Sequence, residues 1–86
     1  MVSKEFTIKN KMGLHMRPAN NFITAMTKYK SDITIVFNGN KINGKSIMNI
    51  MAACIKYDSP ITIICDGEDE QAMLDEAVSL IENGLE

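Results

Sequence analysis

The sequence predicts an α+β protein of two layers, in which a four-stranded sheet carries three helices on one face. Three short segments rich in apolar and β-branched residues, and a short polar segment after an Asn-Gly pair, predict the strands, and apolar residues three or four positions apart predict the helices. The order of these elements is β-α-β-β-α-β-α. With 86 residues, 45% of them apolar, the chain can form one small domain, residues 1–86, around a single core.

The first part of the chain predicts a strand, a loop and a helix. Residues 2–8 alternate as a strand does, and residues 9–15 form a loop in which Gly13 can take a positive φ. A helix begins at 16–18, where a proline is tolerated because its missing N–H has no partner in a first turn. The helix fades by Tyr29. Its buried face is formed by Ala19, Phe22, Ile23 and Met26.

A β-hairpin follows this helix. Residues 32–37 are rich in β-formers, and the Asn-Gly pair at 38–39 favours a tight turn because both residues accept positive φ. The return strand, residues 40–43, is short and polar, which suits the edge of a sheet. A second Asn-Gly pair at 43–44 ends this strand.

The second part of the chain predicts two helices on either side of a strand. Ser46 is a candidate N-cap for the second helix, and residues 58–60 form a turn before the apolar strand 61–65. The acidic run 66–70 opens the third helix, where its charge complements the helix dipole, and Asn-Gly at 83–84 signals its end. The apolar faces comprise Ile47, Ile50, Met51 and Cys54 in the second helix, and Leu74, Ala77, Val78 and Ile81 in the third.

Charge and composition exclude several classes of function. The net charge is −2 and no basic stripe is interleaved with aromatics, so nucleic acid is not expected as a partner. No run of about 18 apolar residues predicts insertion into a membrane. The opening stretch MVSKEFTIKN lacks the apolar core of a signal peptide, so we expect a cytoplasmic protein. Cys54 and Cys65 lie in apolar runs and are expected to be buried; with one histidine in the chain they predict no metal site.

The stretch GLHMRPA, residues 13–19, contains the only histidine, His15. This residue lies between a glycine loop and a helix N-terminus, whose free N–H groups attract anions, and Arg17 adds a guanidinium suited to phosphate. A histidine that caps the helix or lies on the surface is the alternative. No neighbouring residue completes a hydrolytic triad or a metal site. The neutral imidazole, a competent nucleophile, is therefore the candidate acceptor and donor of a transferred group.

Two stretches resemble the signatures of one known family. GLHMRPA is similar to the active-site motif of HPr, the histidine-containing phosphocarrier family of the bacterial phosphoenolpyruvate–sugar phosphotransferase system. GKSIMNIM, residues 44–51, is similar to the family's second signature. The resemblance covers essentially the whole chain. It implies an open-faced β-sandwich and a phosphoryl carrier that forms a phosphohistidine but is not itself an enzyme.

The resemblance implies a role for each residue of the first motif. His15 would carry the phosphoryl group on Nδ1, Arg17 would screen its charge, and Pro18 would fix the start of the helix whose N–H groups face the phosphate. Enzyme I would phosphorylate His15 from phosphoenolpyruvate, and enzyme II A domains would take the group for sugar uptake. The resemblance implies no cofactor, and we expect a monomer.

Ser46 matches the serine that a dedicated kinase/phosphorylase modifies in low-GC Gram-positive members of the family. A plain N-cap also explains this residue, and the two interpretations are compatible. The family's docking surface implies partner contacts from Met16, Asn20, Ile47, Met48 and Met51. Core packing is the alternative for the apolar residues of the second signature, and it is favoured for Met51. Met48, at the rim of the apolar stripe, is expected to be partly exposed, where a flexible methionine suits several partners.

Several positions depart from the family pattern. Met12 replaces a small polar residue, and Asn49 and Cys54 stand where glycine is common. Thr24 and Thr27 replace lysines of enteric-type members, which makes the docking face less basic. A carrier dedicated to one transport system is therefore an alternative. Two others remain open: a regulatory module of the same fold, against which the histidine argues, and an unrelated interaction domain in which both motifs are coincidental.

Overall fold

A computed structural model of the chain describes residues 1–83 and has the predicted order of elements. Gly84, part of the predicted final cap, lies outside the described residues. The predicted α+β class is confirmed. The elements are β1 (Val2–Thr7), α1 (Met16–Met26), β2 (Asp32–Phe37), β3 (Asn40–Asn43), α2 (Ile47–Ala53), β4 (Pro60–Asp66) and α3 (Glu70–Glu82).

The four strands form one antiparallel sheet in the order β1-β4-β2-β3. The register places Ile63 opposite Ile35, and Ile35 opposite Ile42. Because alternate residues of a strand face the same side of a sheet, these three isoleucines form a row on one face, and all are buried. Helix α3 packs against β1 and β4, α2 packs against β3, and both contact α1. No described element covers the other face, so the sandwich is open-faced as predicted.

The core lies between the sheet and the helices. Full burial of a large apolar side chain contributes about 1.5–3 kcal/mol relative to exposure, so this layer is the main source of stability. Met73 of α3 is fully buried although the sequence interpretation omitted it. The buried hydrophobic residues are Phe6, Ile8, Leu14, Ala19, Phe22, Met26, Ile33, Ile35, Ile42, Ile50, Ile55, Ile61, Ile63, Cys65, Met73, Leu74, Ala77 and Ile81.

Some element boundaries differ from the sequence prediction. Helix α1 ends at Met26, earlier than predicted, and Thr27 is its C-cap. Pro60, which the sequence assigned to a turn, is the first residue of β4 and lies opposite Thr7. A proline is tolerated there because the start of a strand does not require its N–H. The chain reverses just before it, where Asp58 has a φ of +66°.

Cys54 is exposed, so the prediction that both cysteines are buried is wrong for this residue. Cys54 is the C-cap of α2 and has a left-handed backbone with φ of 54°. A left-handed residue ends a helix, so its side chain does not continue the apolar face of the preceding turns. Cys65 is buried as predicted, and burial raises the pKa of its thiol to about 11.

Two polar contacts fasten the segment after α1 to α3. Ser31 Oγ donates to Asp69 Oδ1, and Asp69 N donates to Ser31 Oγ at 3.1 Å. Tyr29 OH donates to Glu76, which also pairs with Lys28 at 2.9 Å. The bond to Glu76 raises the pKa of the Tyr29 hydroxyl to about 12. These contacts set the position of α3 relative to the start of β2.

Candidate functional site

His15 is the N-cap residue of α1. Its backbone is extended, with φ of −82° and ψ of −173°, and its carbonyl accepts the first helical bond from Ala19 N at 3.0 Å. Within the described residues its side chain makes no cap bond, so the alternative that the imidazole caps the helix is wrong. The half-buried ring therefore stands beside a helix end whose N–H groups at Met16 and Arg17 precede the first helical donor.

Pro18 and Arg17 shape the first turn of α1 around His15. Pro18 is buried and lacks an N–H, so its ring packs inward without removing a helical bond. Arg17 is exposed, and no acidic residue lies in this first turn. The partial positive charge of the helix N-terminus and the guanidinium therefore add together beside the imidazole.

The loop that precedes His15 is held at both ends. At its start, Asp58 N donates to Ile8 O at 2.8 Å, and at its end Leu14 N donates to Ile55 O at 2.9 Å. Both Ile8 and Leu14 are buried. The loop is thus attached to the segment between α2 and β4, which fixes where α1 begins.

Between these anchors the chain makes a tight turn closed by a bond from Gly13 N to Asn10 O at 2.8 Å. Gly13 has a φ of +72°, as its sequence position predicted. Lys11 and Met12 occupy the two corners of the turn and are exposed. The turn therefore presents one cation and one thioether at its tip.

A depression of about 500 Å³ opens beside His15. Three cations line it, and none of its described lining residues is acidic. Among residues 1–83, no ion pair involves Lys9, Lys11 or Arg17. Among the described residues, the lining of the depression therefore carries an excess of positive charge. Its lining residues are Lys9, Asn10, Lys11, Met12, His15, Arg17 and Asn83.

The residues predicted for partner docking differ in exposure. Met16 and Met48 are 56% and 80% exposed, and Met12 at the loop tip is 79% exposed. Asn20 is also exposed. The remaining two, Ile47 and Met51, are half-buried against the core. Met48 is more exposed than the partial exposure that the sequence predicted, and Met51 packs against the core as the sequence favoured.

Ser46 is the N-cap of α2, as predicted. Its Oγ accepts a bond from Asn49 N at 3.3 Å, and its backbone N donates to Asn43 O at 3.1 Å. The neighbouring Lys45 is directed elsewhere, because its Nζ donates to Tyr29 O at 2.8 Å. No acidic residue lies in the first turn of α2, so the surroundings of the Ser46 hydroxyl are compatible with added negative charge.

The sequence interpretation missed the two lysines and the two asparagines that line the depression. Lys9 and Lys11 flank Asn10 within the six residues before His15, and this basic cluster was the available signal. Asn83 could not be found in this way, because only the packing of α3 brings it to the depression. Within residues 1–83 no group of three histidine, cysteine, aspartate or glutamate side chains could hold a metal ion. None of the described helices has the length and hydropathy needed to cross a membrane.

Comparison with known proteins gives concordant matches over nearly the whole chain. A family model described as "PTS HPr component phosphorylation site" matches residues 2–83. Phosphocarrier protein HPr of Borreliella burgdorferi is 37% identical over 83 residues, which are 96% of each chain. The crystal structure of HPr-C-His from Thermoanaerobacter tengcongensis has a TM-score of 0.95 at 35% identity, covering 99% of this chain and 96% of that one.

A second kind of relative has the same fold. The crystal structure of the Bacillus subtilis catabolite repression protein Crh has a TM-score of 0.77 at 32% identity, and the match covers 98% of this chain and 97% of that one. That protein is described as a dimer formed by domain swapping. The matches therefore include both a phosphocarrier and an HPr-like protein of catabolite repression.

Proposed function

The chain belongs to the HPr family of the phosphotransferase system, and on that premise we propose that it carries a phosphoryl group on Nδ1 of His15. The observation that carries the proposal is the position of half-buried His15 as the N-cap residue of α1, with an imidazole that makes no cap hydrogen bond to the helix. The chain, acting as one domain over residues 1–86 in the cytoplasm, accepts the group from phospho-enzyme I. It then passes the group to enzyme II A domains.

The proposed chemistry is a pair of phosphoryl transfers. The neutral imidazole attacks phosphorus, an N–P bond forms, and the bond from phosphorus to the donor's leaving atom breaks with its electron pair going to the donor. The reverse sequence delivers the group to the acceptor. Arg17 and the helix N–H groups stabilise the negative charge of the moving group, and Pro18 keeps the first turn of α1 in place. The chain supplies the carrier site and its partners supply the catalysis.

Phosphorylation of the purified chain tests this proposal. With phosphoenolpyruvate and enzyme I, intact mass should rise by one phosphoryl group, and the group should be lost in acid. His15→Ala should remain unlabelled while keeping the wild-type melting temperature, which shows that the loss is not due to unfolding. Adding an enzyme II A domain should discharge the labelled protein. An acid-stable modification, or full labelling of His15→Ala, would contradict the proposal.

We further propose that Ser46 is a regulatory phosphorylation site for a kinase/phosphorylase of the HPr type, and that Met16, Asn20, Ile47, Met48 and Met51 contribute to partner docking. The N-cap position of Ser46 supports the first point, because a helix N-terminus accepts negative charge. The exposure of Met16 and Met48 supports the second. Treatment with the kinase and ATP should give an acid-stable product on the wild type and none on Ser46→Ala.

A regulatory module acting through protein contacts alone is the second candidate, since a Crh protein is among the relatives. His15 distinguishes the two, because a module without a carrier role has no need of a phosphoryl-accepting ring. A carrier devoted to one specialised system is a narrower form of the first proposal. We also propose that the chain is monomeric. Sedimentation at several concentrations tests this, and a concentration-independent dimer would instead match the assembly of the Crh relative.

A further inference from the structure

Positive charge near His15 lies mainly on the loop before α1 and not on the helix. The only charged residue within α1 is Arg17, and the exposed positions Asn20 and Thr24 are neutral. Lys28, just beyond the helix, is already paired with Glu76 at 2.9 Å. The outer face of α1 therefore offers a partner little charge to recognise.

Lys9 and Lys11 provide that charge from a fixed position. Both are exposed and both line the depression beside His15. The loop that carries them is anchored through Ile8 and Leu14, and its turn is closed by the Gly13 N to Asn10 O bond of 2.8 Å. A backbone held in this way loses little conformational entropy when a partner binds.

The charge of these lysines is not compensated within the described part of the chain. No ion pair joins either lysine to a described carboxylate, and the described lining of the depression is free of acids. Together with Arg17, three cations are thus gathered on one side of a protein whose net charge is −2. A cluster of positive charge on a protein of negative net charge attracts negatively charged groups on an approaching molecule.

We infer that Lys9 and Lys11 dock carboxylates on the protein that delivers the phosphoryl group to His15. This inference rests on the proposed function and adds the residues that select the donor. Arg17 and the helix N–H groups lie beside the imidazole and act on the phosphoryl group itself, whereas the lysines lie on the preceding loop and meet the rim of the partner. Such contacts affect the rate at which the two proteins associate more than the rate of phosphoryl transfer within the complex, and salt weakens them.

The test compares two double variants that lose the same charge. Lys9→Gln/Lys11→Gln removes the loop cations, and Lys30→Gln/Lys41→Gln removes two exposed lysines outside the depression. Transfer from purified phospho-enzyme I is followed at low and high ionic strength. The loop variant should have a second-order rate constant about tenfold lower at low salt, with a shallower salt dependence, because steering contributes factors of 10 to 1,000. The control variant should behave like the wild type.

A donor without a protein surface separates docking from effects on the phosphoryl group. Phosphoramidate should phosphorylate the wild type and both variants at the same rate, and the phosphohistidine should hydrolyse equally fast in all three. The inference is overturned if the two double variants slow transfer equally, or if the loop variant changes phosphoramidate labelling or hydrolysis. Failure of phospho-enzyme I to label even the wild type would instead reject the proposed function, and this inference with it.

Discussion

Gly13 lies directly against the carbonyl oxygen of Ile55, the same oxygen that accepts a bond from Leu14 N at 2.9 Å. A Cβ on Gly13 would collide with this oxygen and would lie 2.9 Å from Lys56 Cα. The backbone of the loop that leads to His15 therefore packs directly against the backbone of the segment after α2. Any side chain at position 13 would push the loop away from Ile55 and Lys56.

Gly13→Ala should destabilise the protein more than Gly39→Ala. Both glycines have positive φ, of +72° and +78°, so both substitutions carry the left-handed strain of about 1–2 kcal/mol. No described heavy atom lies within 4 Å of a Cβ built on Gly39, so only the Gly13 variant adds a clash, of about 1–3 kcal/mol. Urea unfolding of both variants measures the difference, and equal losses would show that the Ile55 contact is unimportant.

Arg17→Ala should slow phosphoryl transfer far more than it destabilises the fold. Removing a donor that stabilises developing charge typically costs on the order of a hundredfold or more in rate, whereas an exposed arginine that pairs with no described carboxylate contributes little to stability. Arg17→Lys keeps the charge but loses the planar fork and should recover part of the rate. Transfer kinetics and melting temperature are measured on the same samples. If the melting temperature of Arg17→Ala falls together with its transfer rate, the role of Arg17 is structural and this prediction is wrong.

Ser46→Ala should lower the free energy of unfolding by about 0.5–2 kcal/mol, because it leaves the Asn49 N–H without its cap. Ser46→Thr is the matched control, since it retains a hydroxyl that can accept the same bond, and it should lose less. Chemical denaturation of the two variants gives the comparison. Equal stability of Ser46→Ala and the wild type would mean that the cap contributes nothing.

Phosphorylation of Ser46 should leave the fold intact or slightly stabilised and should slow the charging of His15. The phosphate adds about −1.5 to −2 charge at the N-terminus of α2, which favours it. The same charge lies next to Ile47 and Met48, so a partner that docks there through apolar contact would have to desolvate the phosphate, and one with acidic groups there would be repelled. The melting temperature and charging rate of phosphorylated and unmodified samples decide the matter. A large fall in melting temperature, or an unchanged charging rate, counts against this mechanism.

Asp69 should make stability depend on pH in the acid range. Bonds from Ser31 Oγ and from the N–H groups of Lys30 and Ser31 lower the pKa of its carboxyl to about 2, below the ordinary 3.8. A folded-state pKa below the unfolded one gives stability that is complete above about pH 4 and is lost as the pH falls toward 2. Asp69→Asn should therefore melt lower at neutral pH and show a weaker acid dependence.

The control for this prediction is Asp32→Asn, which neutralises an exposed carboxyl at the start of β2. It should retain the loss of stability between about pH 4 and pH 2, because the bonds between Ser31 and Asp69 are intact. Ser31→Ala should behave like Asp69→Asn, because it removes the hydroxyl that contributes most to the lowered pKa. If Asp69→Asn follows the wild-type curve down to pH of about 2, the Ser31 contact does not stabilise the fold in this way.

The order of elements was readable from the sequence because its signals are local. The alternation in 32–37 and the Asn-Gly turn at 38–39 depend on residues a few positions apart, and so does the Ser46 cap over Asn49. His15 was also found locally, since a glycine loop, a histidine, an arginine and a first-turn proline are adjacent in the chain.

Only the tertiary structure decided features that join distant parts of the chain. The hydrogen bonds between Ser31 and Asp69 join residues that are 38 positions apart in the sequence. The contact of Gly13 with Ile55 likewise depends on tertiary packing, which no local sequence pattern predicts. The exposure of Cys54 followed from a left-handed cap that ends its helix early. The sequence thus determined which elements form and where His15 lies, because these depend on neighbouring residues. That Asn83 borders the depression beside His15 depends on how the end of α3 packs against the rest of the chain, and this is a property of the packed protein.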